Sequence, residues 1–144
     1  METYEQYDSG YSRIPAGCTL KDYRKNYASE PLKKTIKTWS IVAYVLVGIN
    51  VVLALLVNPF ALIDSALLLG LTLGIHLGKS KGCAIALMVY AIYNTVSSLI
   101  ASGSLGGWWW IAAAVSFLSA FKKIDDEYKA EMAKQSAASY VETY

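Results

Sequence analysis

The chain has 144 residues, of which 55% are hydrophobic and 17% are charged, and its formal net charge is +2. Soluble domains carry about 25% charged residues, so this composition excludes an ordinary soluble enzyme domain. The two cysteines are too few to staple a small disulfide-rich fold or to form a four-cysteine zinc site.

Four long apolar stretches follow one another along the chain. A helix needs about 17–25 residues to cross about 30 Å of hydrocarbon. The first three stretches reach that length, and the fourth reaches it only if 105–107 join the apolar run that starts at Trp108. Every backbone amide in lipid needs a partner within its own segment, so each stretch is expected to be helical. The predicted transmembrane helices are 39–57, 60–77, 83–101 and 105–121.

The basic residues alternate with these stretches in a consistent way. Seven Lys and Arg precede the first stretch, Lys79 and Lys81 separate the second from the third, and four lysines follow the fourth. The other two loops, 58–59 and 102–107, contain none. Since cytoplasmic loops carry the excess of Lys and Arg, we predict that both termini and the middle loop are cytoplasmic.

The predicted fold class is therefore all-α. We expect an integral membrane four-helix bundle made of two antiparallel hairpins, with the N- and C-termini both inside the cell. Asn58 and Pro59 have the residue types of a helix start, which would place the second helix directly after the first hairpin turn.

The two ends of the chain carry helical patterns outside the apolar stretches. Thr19 and Asp22 have capping-box spacing, and Leu20, Tyr23 and Tyr27 recur as a helical stripe. A second stripe consists of Ile124, Tyr128 and Met132, with Asp125 and Lys129 spaced to form an ion pair. Amphipathic cytoplasmic helices are thus predicted at 19–38 and 122–135, the first lying on the inner leaflet, and disordered tails at 1–18 and 136–144.

Aromatic and basic residues mark the predicted membrane boundaries. Tryptophan prefers the headgroup level, where its ring is half buried and its N–H meets water. The predicted aromatic anchors are Trp39 on the inner side and Trp108, Trp109 and Trp110 on the outer side. The predicted basic collar, which would contact anionic lipids of the inner leaflet, is Lys33, Lys34 and Lys37.

Small residues recur every four positions in the second stretch. This spacing puts them on one helix face, where they allow another helix to approach closely. The predicted packing face is Ala66, Gly70, Gly74 and Gly78, and its candidate partner in the fourth stretch is Ala112, Ser116 and Ala120. A contact within one chain and self-association between two chains both explain the pattern.

Asp64 is the one acidic residue inside an apolar stretch. A carboxylate in a membrane helix suggests an ion or proton pathway by default. Asp64 also lies close to the predicted outer helix start, where a negative charge favours the helix dipole. Asn94, near the middle of the third stretch, is expected to hydrogen-bond across helices. Asp64 and Asn94 are the candidate ion or proton residues.

The sequence offers no catalytic set. It has no nucleophile–histidine–acid combination, no paired carboxylates and no cluster with metal-ligand spacing, so we predict a protein that is not an enzyme and binds neither metal nor cofactor. The run from Gly74 to Ser80 is one residue short of a phosphate-binding loop and follows an apolar helix instead of a strand. No feature favours nucleic acid as a partner.

The stretch 19–31, followed by four apolar spans with an Ile-His-Leu-Gly-Lys-Ser inner loop, resembles small multi-pass bacterial membrane proteins. The resemblance implies a location in the bacterial cytoplasmic membrane, and it does not indicate any particular activity. We expect a protein that acts by association, as an accessory subunit, a scaffold or a small homo-oligomer, with a membrane protein as partner. The alternative is a homo-oligomeric ion channel or small transporter that uses Asp64 and the small-residue face.

Overall fold

The computed structural model describes residues 14–141, and within that range all regular structure is helical. The prediction of an all-α fold class is confirmed for these residues. A short helix α1 continues directly into a π-helical turn, and four long helices follow. The elements are α1 (Leu20–Asp22), the π turn (Tyr23–Tyr27), α2 (Glu30–Val57), α3 (Ala61–His76), α4 (Lys81–Ser102) and α5 (Trp108–Val141).

Local chemistry explains where the helices begin and end. The Thr19 hydroxyl accepts a hydrogen bond from the Asp22 amide, as the capping-box spacing predicts, and starts α1. The Ser80 hydroxyl accepts from the Cys83 amide at the start of α4. Gly103, with φ 64°, ends α4 in the left-handed conformation that glycine adopts without strain.

The four long helices form a bundle in which each one packs on two neighbours. Helix α2 contacts α3 and α5, and α4 contacts the same two helices. Helices α3 and α5 are therefore diagonally opposite each other in the bundle. The core between the four helices is made largely of Ala43, Val47, Leu68, Ile75, Ala84, Leu87, Ala91, Ala113, Ala114, Phe117, Ala120 and Phe121.

The most apolar helices turn most of their residues outward. Helices α2 and α4 are long and apolar enough to cross a membrane, whereas α3 is apolar but has only 16 residues. In the most apolar window of α2 only 22% of residues are buried, and in that of α4 only 17%. A helix in the core of a soluble protein would bury most of this surface.

The observed boundaries differ from the predicted ones at α5. Residues 105–107 do not extend the helix, because the chain turns at Gly107, where φ is 86°. At its other end α5 continues without a break to Val141 instead of ending near 135.

The segment from Ile14 to Cys18, predicted to be disordered, packs against α5. Ile14 and Cys18 are buried. The Gln135 side chain donates to the Ile14 carbonyl at 3.1 Å, and the Tyr128 hydroxyl donates to the Cys18 carbonyl at 2.8 Å. The other residues of the predicted disordered tails at 1–13 and 142–144 lie outside the described range.

The two ends of the bundle differ in charge. The basic end is formed by residues 14–29, the 77–80 loop and the adjoining part of α5, and the far end is formed by the 58–60 and 103–107 loops. Helices α2 and α4 run from the basic end to the far end, while α3 runs back. Helix α5 starts at the far end and extends beyond the bundle at the basic end.

Candidate functional site

The predicted small-residue face of α3 is not the face that packs inside the bundle. The buried residues of α3 are Ser65, Leu68, Thr72 and Ile75. Ala66 and Gly70 are exposed, and no atom lies within 4 Å of the position that a Cβ at Gly70 would occupy. Gly74 is the one residue of the predicted face with a close neighbour on another helix, since a Cβ there would lie 2.5 Å from the Cys83 sulfur. Gly78 follows the end of the helix and is exposed.

The candidate partner face on α5, which consists of Ala112, Ser116 and Ala120, is also not packed on α3. Ala120 is buried, while Ala112 and Ser116 are half-buried, and the Ser116 hydroxyl donates to the Ala112 carbonyl of its own helix. Ser116 and Ala120 border a cavity with Leu32 and Trp39 of α2. The described structure therefore shows no packing of this face on the small-residue face of α3.

Asp64 lies at the mouth of a cavity of about 390 Å³ between α2, α3 and α4 at the far end. This cavity, here called the far-end pocket, combines polar groups with an apolar wall. Its residues are Asn50, Leu53, Ala54, Val57, Asn58, Ala61, Asp64, Ser65, Leu68, Tyr90 and Asn94.

Hydrogen bonds position the polar side chains of the far-end pocket. The Asn94 amide donates to the Tyr90 hydroxyl at 3.3 Å, and the Ser98 hydroxyl donates to the Asn94 carbonyl oxygen at 3.5 Å. Both contacts stay within α4, so the predicted cross-helix hydrogen bond of Asn94 is not formed among the described residues. The carboxylate of Asp64 is close enough to the Tyr90 hydroxyl to interact with it. At the rim, the Asn58 side chain accepts from the Phe60 amide at 3.1 Å.

The unequal lengths of the helices account for the position of the pocket. Helix α3 has 16 residues and α4 has 22, which correspond to about 24 Å and 33 Å. Their ends meet at the short 77–80 loop, so α4 projects beyond α3 at the far end. Asp64 lies twelve residues from His76 in α3, and Asn94 lies thirteen residues from Lys81 in α4. The two side chains are therefore at similar heights along the bundle axis. The Asp64 carboxylate is therefore closer to the far end than the most tightly packed part of the core.

The predicted tryptophan anchors divide into two groups. Trp108 and Trp109 are exposed at the far end, where their rings stack with centroids 3.8 Å apart. Trp110 is buried and belongs to the core, because each residue turns about 100° around the helix. Trp39 is half-buried near the basic end of α2.

The predicted basic collar lies on the first turns of α2. Lys34 and Lys37 are exposed, whereas Lys33 is half-buried and donates to the Asn26 carbonyl at 3.0 Å. Lys33 also forms an ion pair with Glu30. Burial, together with the nearby charge of Lys33, lowers the pKa of Lys79 in the 77–80 loop.

At the basic end, three charged residues from distant parts of the chain form one cluster. Arg24 donates two hydrogen bonds to one Asp125 oxygen, at 3.0 and 2.7 Å, and Lys81 donates to the other oxygen at 2.9 Å. Burial alone would raise the pKa of Asp125, but the hydrogen bonds and charges of Lys81 and Arg24 outweigh it and hold this pKa below its ordinary value. Asp125 therefore pairs with Arg24 and Lys81 and not, as the spacing predicted, with Lys129.

The sequence analysis also missed a contact between α2 and α3. The Tyr44 hydroxyl and His76 Nδ1 are 3.0 Å apart, and their rings are tilted at 57°. No sequence pattern links these two residues, which are 32 positions apart. Only the antiparallel pairing of the two helices brings them together.

No group of three or more His, Cys, Asp or Glu residues is arranged to hold a metal ion anywhere in residues 14–141. Comparison of the chain with protein-family models, with curated proteins and with solved structures finds no match.

Proposed function

We propose that this chain is a multi-pass protein of the bacterial cytoplasmic membrane, in which all four long helices of the bundle cross the bilayer. The outward orientation of the apolar residues supports this proposal. Leu56, Val57 and Ile100 are each about four-fifths exposed, and water would strongly disfavour such a surface. In lipid the same side chains face hydrocarbon at no cost. The short α3 and the short apolar part of α5 would be matched by local thinning of the bilayer.

The charges support a single orientation in that membrane. The far-end loops at 58–60 and 103–107 contain no Lys or Arg, whereas the basic end holds Lys79, Lys81 and the collar on α2. The positive-inside rule then assigns the basic end to the cytoplasm. Exposed Trp108 and Trp109 would lie at the outer headgroup level.

Within the membrane, we propose that the protein acts by association and that a second copy of this chain docks on α3. The observation that carries this proposal is the open surface at Gly70 and Ala66, which no part of the chain covers in the described structure. Two such faces fit each other across a two-fold axis, because residues with little or no side chain let the backbones approach closely.

A matched pair of glycine substitutions tests this contact. Gly48 on α2 is also exposed, helical and free of neighbours within 4 Å of a Cβ. We expect wild-type protein to be dimeric in a mild maltoside detergent, Gly70→Leu to weaken the dimer about tenfold or more, and Gly48→Leu to leave it unchanged. Light scattering over a concentration series measures the dissociation constant. A monomeric wild type, or equal behaviour of the two variants, would contradict the proposal.

The alternative of a channel or transporter draws support from the far-end pocket, which places Asp64 beside Asn94 and Tyr90. From the base of that pocket towards the basic end, however, the centre of the bundle is filled by Leu68, Ile75, Leu87 and Phe117, all at most 2% exposed. A polar path through one chain would have to displace these side chains. Association therefore remains the better supported function.

A further inference from the structure

The far-end pocket carries one charge, and that charge is negative. Asp64 supplies it, and the described residues that line the pocket include no Lys, Arg or His. The remaining polar lining consists of asparagine amides and of the Ser65 and Tyr90 hydroxyls. Asp64 is exposed at the opening of the pocket, and a carboxylate that lies beside an apolar wall attracts a positively charged partner.

We propose that the far-end pocket is a binding site for a small organic ammonium ion. Asp64 would pair with its positive charge, and the oxygens of Asn50 and Asn94 would accept from its N–H groups or contact its polarised methyl groups. Tyr90, which also lines the pocket, would contribute its aromatic ring, a group that attracts quaternary ammonium ions. This inference is independent of the association proposal, since the pocket-lining residues of α3 are on a different face from Ala66 and Gly70.

The composition of the lining favours an organic cation over a bare metal ion. Calcium takes about 6–8 oxygen ligands, and magnesium needs a near-octahedral shell. The pocket offers a single carboxylate and a wall that includes Leu53, Val57 and Leu68. These apolar side chains would leave much of a metal ion's shell unfilled, but they pack well against the methyl or methylene groups of an alkylammonium.

The size and the position of the pocket fit the same class of ligand. Its volume of about 390 Å³ is within the range of small-molecule sites and is far larger than the roughly 30 Å³ that one water occupies. Asp64, Asn58 and Val57 are exposed at the far end, so a ligand would enter from that end without disturbing the core. In the proposed orientation that side is extracellular.

Choline and its neutral carbon analogue, 3,3-dimethyl-1-butanol, test the proposal with the full-length protein. The two probes have nearly the same shape and differ by one positive charge, and each gives a strong nine-proton NMR signal. Saturation transfer from protein in maltoside micelles, corrected for empty micelles, reports binding. Maltoside headgroups carry neither charge nor amine and therefore do not compete.

We expect choline to bind wild-type protein and the neutral analogue to bind about tenfold more weakly or not at all. Asp64→Asn keeps the shape of the side chain and should weaken choline binding about tenfold or more. The matched control Asp126→Asn removes an exposed charge at the basic end and should bind choline like the wild type.

Three results would overturn the proposal. They are no choline binding by wild-type protein, equal binding of choline and the neutral analogue, and unchanged binding in Asp64→Asn. Dimerisation measured on the same samples separates this test from that of the α3 contact. Wild-type protein that is dimeric but does not bind choline would refute only the ligand site, and wild-type protein that binds choline but is monomeric would refute only the association contact.

Discussion

At the scale of single residues, the buried polar side chains of the bundle bond to their own helices. The hydroxyls of Ser40, Thr72 and Thr95 donate to the carbonyls four residues earlier, at 2.7, 2.8 and 2.8 Å. No buried side-chain nitrogen or oxygen in the described structure lacks a partner. Small hydroxyl residues can therefore occupy helix contacts without the cost of an unsatisfied polar group.

Gly74 is the described glycine at which an added methyl group would come closest to an atom of another helix. A Cβ there would lie 2.5 Å from the sulfur and 3.3 Å from the Cβ of Cys83, so Gly74→Ala should lower the free energy of unfolding in detergent by about 1–3 kcal/mol. Gly70→Ala, in open space, should have no such cost. Thermal unfolding checks both variants. Adding Cys83→Ala should restore part of the loss, and failure to do so would contradict the contact.

At the scale of elements, two stripes that were predicted separately pack on each other. Tyr23 from the N-terminal stripe is buried against Tyr128 of the α5 stripe, with ring centroids 5.4 Å apart. Glu127 accepts from the Ser29 amide at 3.2 Å at the start of α2, where helix amides lack internal partners. The N-terminal segment is thus bound to α5, whereas the stripe alone predicted a helix on the inner leaflet.

The Arg24–Asp125–Lys81 cluster should make this docking sensitive to acid. The pKa of Asp125 lies below its ordinary value of 3.8 in the folded state. Its contribution to stability is therefore complete above that ordinary value and is lost as the pH falls through the folded-state pKa. We expect the contribution of the cluster to be constant from about pH 7 to pH 5 and to decline below about pH 4, measured as the difference in thermal unfolding midpoint between the wild type and Asp125→Asn across a pH series.

At neutral pH, Asp125→Asn should reproduce that loss by removing the charge. We expect a cost of about 1–3 kcal/mol and faster tryptic cleavage at the exposed Lys21 and Lys25 of the docked segment. Asp126→Asn, a change at the exposed neighbouring residue, is the control. Cleavage at the same rate in both variants would show that the cluster does not hold the segment in place.

At the scale of the whole molecule, alanines provide many of the core positions, while many large apolar residues face outward. Six of the core positions are the alanines 43, 84, 91, 113, 114 and 120. Large side chains such as Leu55, Val89 and Ile100 face outward. This distribution suits a lipid environment, in which close helix packing and not burial from water stabilises the bundle.

Cysteine labelling from outside the cell tests the proposed orientation. With Cys18 and Cys83 replaced, a membrane-impermeant maleimide should modify Ser104→Cys at the far end and leave Lys129→Cys unmodified until the membrane is opened. Both positions are exposed in the structure, and Ser104 avoids the left-handed backbone of Gly103. Labelling of Lys129→Cys in intact cells would reverse the orientation and contradict cytoplasmic termini.

The sequence by itself determined the features that depend on neighbouring residues. Runs of apolar residues predicted the four long helices, and the capping-box spacing at Thr19 predicted the start of α1. Helix formation and capping are local, so both are readable from a short window of chain. Helix ends differ from the prediction at Gly107, where the chain turns, beyond 135, where α5 continues to Val141, and at the start of α3, which begins at Ala61.

Only the tertiary structure decided which helix faces meet. Helix α3 is apolar on every side, so its pattern does not distinguish the buried Ser65–Leu68–Thr72 face from the exposed face with Gly70. The pairing of Asp125 with Arg24 and Lys81, and the grouping of Asp64 with Tyr90 and Asn94, join residues far apart in sequence. Such groupings depend on the alignment of long helices that differ in length, and no local sequence pattern specifies that alignment.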